Sequence, residues 1–252
     1  MSLGSRFRWP AYHEMMAIFG VGDLHPGGEQ STDLLIAELE KAKPASILEV
    51  GAGAGYTTAR MVKRGWRVTS VEPSAILCEF IRARHPAAVF EGSFDNFDSG
   101  SAKYDAIVGE GVFYGLDPAR TVEKIHGLLR PGGLLASSDM VWTDRANADI
   151  VSYVHQRTKE LFGVPMASKD SLAASTWRAS LLSAGFKQVL ARDIEQAAFD
   201  PDRRIRRVRS LAGLLRRPHL IPLYLNYRSY QRINWVPADW LRSEVSVWRL
   251  TE

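Results

Sequence analysis

The sequence predicts an α/β fold organised around a doubly wound, mostly parallel sheet, and three observations carry the prediction. Seven strand-like runs alternate over most of the chain with stretches of helical apolar period. The first run passes directly into three alternating glycines, Gly51, Gly53 and Gly55, and then into a helix start. The second run, about twenty residues on, ends on the carboxylate Glu72.

Taken in order, the elements begin with a helical segment at about 8–19 and a loop through His25-Pro-Gly-Gly28. A helix follows from Ser31 or Thr32 to Lys43, with hydroxyl residues at the place of an N-cap. Strands are expected near 46–51, 67–72, 87–91, 104–109, 133–138, 186–194 and 243–250. A helical stretch runs from Pro73-Ser74 to about Arg84, and Pro131-Gly-Gly133 punctuates the approach to the fifth strand. The last two strands break the alternation. Between them, residues 199–242 form an insertion with an arginine-rich amphipathic helix at 203–217 and the aromatics Tyr224, Tyr227, Tyr230, Trp235 and Trp240. The resulting plan is an N-terminal helical cap (1–30), a core (31–198), the basic and aromatic insertion (199–242), serving as lid or interface, and a final core strand (243–252).

The glycine turn and Glu72 together suit a nucleoside ligand. Glycines let the backbone approach a bound molecule, and a carboxylate at the end of the second strand accepts hydrogen bonds from both ribose hydroxyls of an adenosine. The dinucleotide pattern is G-x-G-x-x-G, whereas this chain has G-x-G-x-G with Tyr56 where Gly or Ala would stand.

Glu49-Val-Gly-Ala-Gly-Ala-Gly55 resembles motif I of the class I methyltransferases that use S-adenosylmethionine. Further matches follow in chain order: Glu72, the Gly92-Ser-Phe-Asp95 loop, Tyr104-Asp-Ala106 opening the fourth strand, and Leu128-Leu-Arg-Pro-Gly-Gly133 leading to the fifth. With His25-Pro-Gly-Gly28, Gly109-Glu-Gly-Val-Phe-Tyr114 and Ser137-Ser-Asp-Met-Val-Trp-Thr-Asp144, the chain resembles the UbiE-like, or type 11, branch over roughly residues 20 to 198. The resemblance implies a Rossmann-like three-layer sandwich with a seven-stranded, mostly parallel sheet of order 3-2-1-4-5-7-6, the last strand antiparallel. It implies S-adenosyl-L-methionine as cofactor, S-adenosylhomocysteine as product and a small-molecule acceptor. Cofactor contacts would come from Glu49, Gly51, Ala52, Gly53, Gly55 and Thr57, from Glu72 and Pro73, from Ser93 and Phe94 at the adenine, and from Gly109 and Glu110.

Methyl transfer from a sulfonium is an in-line displacement in which alignment of the two reactants can supply on the order of 7–11 kcal/mol. Three residues are candidates for catalysis. Glu110, just past the fourth strand, binds the cofactor's ammonium or serves as base; Tyr114, four residues on, orients the acceptor; and His25 faces the site or caps local structure. Asp139, Trp142 and Asp144 are further pocket candidates.

Composition bounds the remaining choices. The chain has 252 residues, 46% of them hydrophobic and with a net charge of +4, which suits one domain with a cap. No apolar run is long enough to span a bilayer and no secretory leader pattern is seen, so a cytoplasmic protein is expected. Cys78 is read as a buried structural thiol, and the six histidines lack metal-ligand spacing, so no metal is expected. Hydrolase elbow and phosphate-loop patterns are absent, as is the Asn/Asp-Pro-Pro-aromatic motif of nucleobase amino-methyltransferases. A nucleic-acid partner is therefore not favoured, and a monomer or homodimer is expected. Two alternatives remain open: an NAD(P)-dependent oxidoreductase of similar fold, and a non-catalytic cofactor-binding or scaffold protein that works through the helix at 203–217.

Overall fold

The computed structural model describes residues 11–18, 24–162, 173–194 and 240–251, with single positions 20, 22, 212, 214–216, 218, 221 and 225. Most of the 199–242 insertion, including most of the arginine-rich helix, lies outside the described residues, as do residues 1–10, 19, 21 and 23 of the 1–30 cap. The strands are β1 (Ser46–Val50), β2 (Arg67–Glu72), β3 (Ala88–Glu91), β4 (Tyr104–Glu110), β5 (Leu129–Trp142), β6 (Phe186–Ile194) and β7 (Leu241–Leu250). They form one seven-stranded sheet of order β3-β2-β1-β4-β5-β7-β6. β1 through β5 pair in parallel, while β7 runs antiparallel to both β5 and β6. The expected Rossmann-like order and the reversed last strand are both present.

The helices are α1 (Ala11–Ile18), α2 (Gly28–Ala42), α3 (Tyr56–Val62), α4 (Ala75–Arg82), α5 (Pro118–Leu128), α6 (Ala148–Phe162) and α7 (Ala173–Ser183). Local chemistry explains where several of them start. Ser74 accepts the Leu77 N–H at the head of α4, and Asp117 accepts the Arg120 N–H at the head of α5, where Pro118 needs no partner for its nitrogen. α2 starts earlier than the hydroxyl pair suggested. Gly27, with φ 76°, turns the chain in the left-handed region, so the helix begins at Gly28 and Ser31 sits within the first turn. The Ser31 hydroxyl then bonds back to the carbonyls of Gly28 and Pro26 rather than capping the helix.

β5 also differs from expectation, beginning at Leu129 rather than 133. Tyr104 pairs with Leu129 and Ala106 with Leu134, so Pro131-Gly-Gly133 is a bulge inside the strand. β-branched and leucine side chains alternate across the sheet into two cores. One gathers Leu48, Val50, Ile107, Phe113, Phe186 and Trp248; the other gathers Leu35, Leu39, Ile47, Met61, Val108 and Val247.

At the amino ends of the strands Asp105 acts as a staple. Its Oδ2 accepts from the N–H groups of Ala45 and Ser46 and from the Ser46 hydroxyl, and its Oδ1 meets Arg130. Burial pushes its pKa up, but hydrogen bonds from Arg130, Ser46 and Ala45 outweigh this and hold the carboxyl below its ordinary value. The stability it contributes is present at neutral pH and is lost as pH falls through that lowered value. Asp105→Ala is expected to lower unfolding stability by about 1–3 kcal/mol, read as a lower urea midpoint at pH 7.

Candidate active site

The carboxyl ends of β1, β2 and β4 bring the predicted residues together. Gly51 and Ala52 both donate backbone N–H groups to the Val71 carbonyl, which folds the chain back over the end of β2. Gly53 follows with φ 55°, and its N–H donates to Glu72 Oε2 at 2.9 Å. The other oxygen, Oε1, accepts the Ser74 N–H at 2.9 Å. A Cβ added at Gly53 would meet nothing within 4 Å, so this turn opens onto free space. Burial pushes the Glu72 carboxyl up to about 7, partly offset by its two N–H donors.

Glu49 takes a different position. Its Oε2 accepts from the Thr58 and Ser70 hydroxyls, at 2.5 Å and 3.0 Å, beneath the glycine turn. Burial pushes this carboxyl up to about 8, against the pull of those two hydroxyls. Gly55 caps α3 with φ 79°, and Pro73 links β2 to α4. Ser93 caps a short 3-10 turn by accepting the Asn96 N–H, and Phe94 is built into the core, with Lys124 over its ring. Glu49 and Phe94 are both buried, at 3% and 5% exposure.

Glu110, at the end of β4, is the centre of a second cluster. Its Oε1 accepts from Thr32 Oγ1 of α2 at 2.7 Å, and its Oε2 accepts from Thr57 Oγ1 of α3 at 2.6 Å. His25 joins from the loop before α2: Nδ1 lies 3.5 Å from Glu110 Oε1, and Nε2 lies 3.2 Å from Thr32 Oγ1. The loop is seated by the Ser138 hydroxyl, which donates to the Pro26 carbonyl at 2.7 Å, and by Gly111, which leaves room for Pro26. His25 and Glu110 are thus neighbours. Thr32, Ser31 and Ser138 were missed, because nothing in a helix-forming or strand-forming stretch marks a hydroxyl as a partner of a distant carboxylate. Gly109 lies against Phe113, whose ring would be struck by any added Cβ. Tyr114 lies in the 3-10 turn Phe113–Gly115, and its side chain is outside the described residues.

α1 runs over this edge of the sheet. Glu14 accepts from the Ser74 hydroxyl at 2.6 Å, and Ala17 packs with Ala54 and Leu77. Gly22 lies directly on the Tyr56 ring. On the opposite sheet face, between β5, β7 and α7, a cavity of about 30 Å³ is lined by Ser137, Asp139, Trp177, Arg178, Glu244 and Trp248, among others. Asp139 faces this cavity, while Trp142 is buried in a satellite core with Val151, Val154 and Leu241, and Asp144 is exposed. Trp240, the one described member of the insertion's aromatic set, packs on that satellite core. Among the described residues no group of His, Cys, Asp or Glu could hold a metal ion, and no helix is long and apolar enough to cross a membrane.

Residues 29–191 match a family model described as a methyltransferase domain. An uncharacterized methyltransferase of Mycobacterium tuberculosis is 31% identical over 135 residues, covering 52% of this chain and 54% of that protein. The chain spans about half the length of the first curated relatives it matches. The uncharacterized methyltransferase YodH of Bacillus subtilis is 21% identical over 197 residues, 75% of this chain and 81% of its own. In fold, the chain is similar to a solved S-adenosylmethionine-dependent methyltransferase of Thiobacillus denitrificans in complex with S-adenosyl-L-homocysteine, with TM-score 0.68, 14% identity and coverage of 96% and 98% of the two chains. A putative sarcosine dimethylglycine methyltransferase of Galdieria sulphuraria gives TM-score 0.61 at 17% identity, with 88% and 86% covered.

Proposed function

The chain belongs to the methyltransferase-domain family, the class I enzymes that take their methyl group from S-adenosylmethionine, and from that premise we propose that it methylates a small molecule with Glu110 holding the ammonium end of the cofactor. The oxidoreductase alternative is set aside with that membership.

The observation that carries the reading is the placement of Glu110. Two threonine hydroxyls from two different helices fix its oxygens at the end of β4, and each oxygen keeps a further lone pair for a cation. The residues at the Gly53 turn fit the adenosyl part of the same cofactor. Glu72 accepts ribose hydroxyls with the lone pairs its two backbone donors leave free, and the open side of Gly53 admits the ligand. When bound, S-adenosylmethionine supplies an electrophilic methyl on a sulfonium. The chain's own task is then alignment: Glu72 and Glu110 grip two ends of one molecule, and Tyr114, in the turn after Glu110, orients the acceptor. A small acceptor is favoured because the side chains of His25 and Glu110 are only 13% and 8% exposed.

The test is to incubate the protein with methyl-labelled S-adenosylmethionine and, in parallel, with a panel of phenols, amines and thiols, with transfer RNA and with unfolded protein. Label is expected in the small-molecule panel alone. Label confined to RNA or protein would overturn the acceptor class.

A further inference from the structure

The hydrogen-bond directions around Glu110 assign a role to Thr32 and His25. Thr32 has one hydroxyl hydrogen. Its Oγ1 lies 2.7 Å from Glu110 Oε1, a carboxylate oxygen that can only accept, so the hydrogen is committed there. The 3.2 Å contact between Thr32 Oγ1 and His25 Nε2 then needs its hydrogen from the ring. Nε2 therefore carries a proton and donates it to Thr32 in this arrangement, while Nδ1 lies 3.5 Å from Glu110 Oε1. The chain of bonds runs one way: His25 Nε2–H to Thr32, and Thr32 O–H to Glu110. Thr57 closes the other side by donating to Oε2 at 2.6 Å. Thr32 is almost fully buried, so no solvent competes for its hydroxyl.

We propose that Thr32 is a positioning residue, oriented by His25, whose hydroxyl holds the Glu110 carboxylate in the rotamer that receives the cofactor's ammonium group. The proposal rests on Glu110 being that group's ligand. Without the Thr32 hydroxyl, Oε1 loses its short donor and keeps only the 3.5 Å approach of His25 Nδ1, which leaves Thr57 as the one short donor to the carboxylate. The cost falls on ligands that carry the amino-acid part of the cofactor and spares those that lack it. A purely structural role, tying α2 to β4, would instead weaken every ligand alike.

The experiment compares S-adenosylhomocysteine with 5′-methylthioadenosine, which keeps the adenosyl part and has no ammonium group. Both are titrated by calorimetry into wild type, Thr32→Val, Thr32→Ser, His25→Ala and Glu110→Gln. Thr32→Val is expected to weaken S-adenosylhomocysteine by about tenfold and 5′-methylthioadenosine by less than about twofold. Thr32→Ser is expected to restore the first affinity, and His25→Ala to give a smaller loss with the same selectivity. Equal weakening of both ligands by Thr32→Val, or none, overturns the proposal if Glu110→Gln still removes the preference for S-adenosylhomocysteine. If Glu110→Gln leaves that preference intact, the reading of Glu110 itself fails.

Discussion

Glu72→Ala is expected to weaken S-adenosylhomocysteine binding by about a hundredfold or more at pH 8. Two hydrogen bonds from ribose hydroxyls to a carboxylate are lost, each worth about 1.5–3 kcal/mol when the acceptor is charged. The same substitution strands the Gly53 and Ser74 N–H groups that Glu72 now accepts, so the turn around Gly53 also loses its anchor. The wild-type protein carries a pH signature of the same contact. Burial sets the Glu72 carboxyl to about 7, and bonds from ribose hydroxyls favour its charged form. Affinity is therefore expected to be full above pH 8 and to fall as pH drops through 7, with a proton released on binding. Calorimetry in buffers of different ionisation heat measures both effects. An alanine variant that binds as tightly as wild type, or a pH-independent affinity, would remove Glu72 from the cofactor site.

Glu49→Gln is expected to stabilise the protein in alkaline solution and to do little in acid. Its carboxyl sits fully buried under the glycine turn and is pushed up to about 8. Because the folded protein holds this proton more tightly than the unfolded chain does, the stability it contributes is present below the ordinary value of 4.5 and is lost as pH rises through about 8. Between pH 5 and pH 8.5 this single group is expected to cost the wild type on the order of a few kcal/mol. Glutamine keeps the shape and can exchange hydrogen bonds with the Thr58 and Ser70 hydroxyls, yet has no charge to desolvate. Thermal unfolding should show the variant well above wild type at pH 8.5 and nearly level with it at pH 5. Parallel curves across that range would show that Glu49 is ionised at no cost, and hence solvated.

The fold was largely readable in the sequence because it is written in periodicity and punctuation. Alternating apolar runs marked the strands, and the glycine turn marked the switch from β1 to α3. The misreadings arose where one residue type can serve two ends. Ser31 and Thr32 look like caps, but Gly27 turns the chain first and frees both hydroxyls for other partners. Pro131-Gly-Gly133 looks like a break before β5, but β4 pairs on either side of it. The contact between the glycine turn and Glu72 was readable because Glu72 lies a fixed spacing from the glycines. The surroundings of Glu110 were not, since Thr32 and Glu110 are 78 residues apart in sequence. The hydroxyls on Glu49 were hidden in the same way: Thr58 and Ser70, which donate to its carboxylate, lie 9 and 21 residues away in sequence.

The antiparallel β7 has a consequence for the order in which the protein is made. β5 is interior to the sheet only because Leu241–Leu250 pairs along it from Trp142 back to Leu134. Its residues Leu134, Leu135 and Ala136 are buried on both faces. As the chain leaves the ribosome, β1 to β5 can assemble with local crossovers, but β5 is then an apolar edge with unpaired N–H and C=O groups. It keeps that edge while residues 143–240 are synthesised, so the nascent protein passes through an interval in which shielding by a chaperone, or pairing with a neighbouring chain, decides between folding and aggregation.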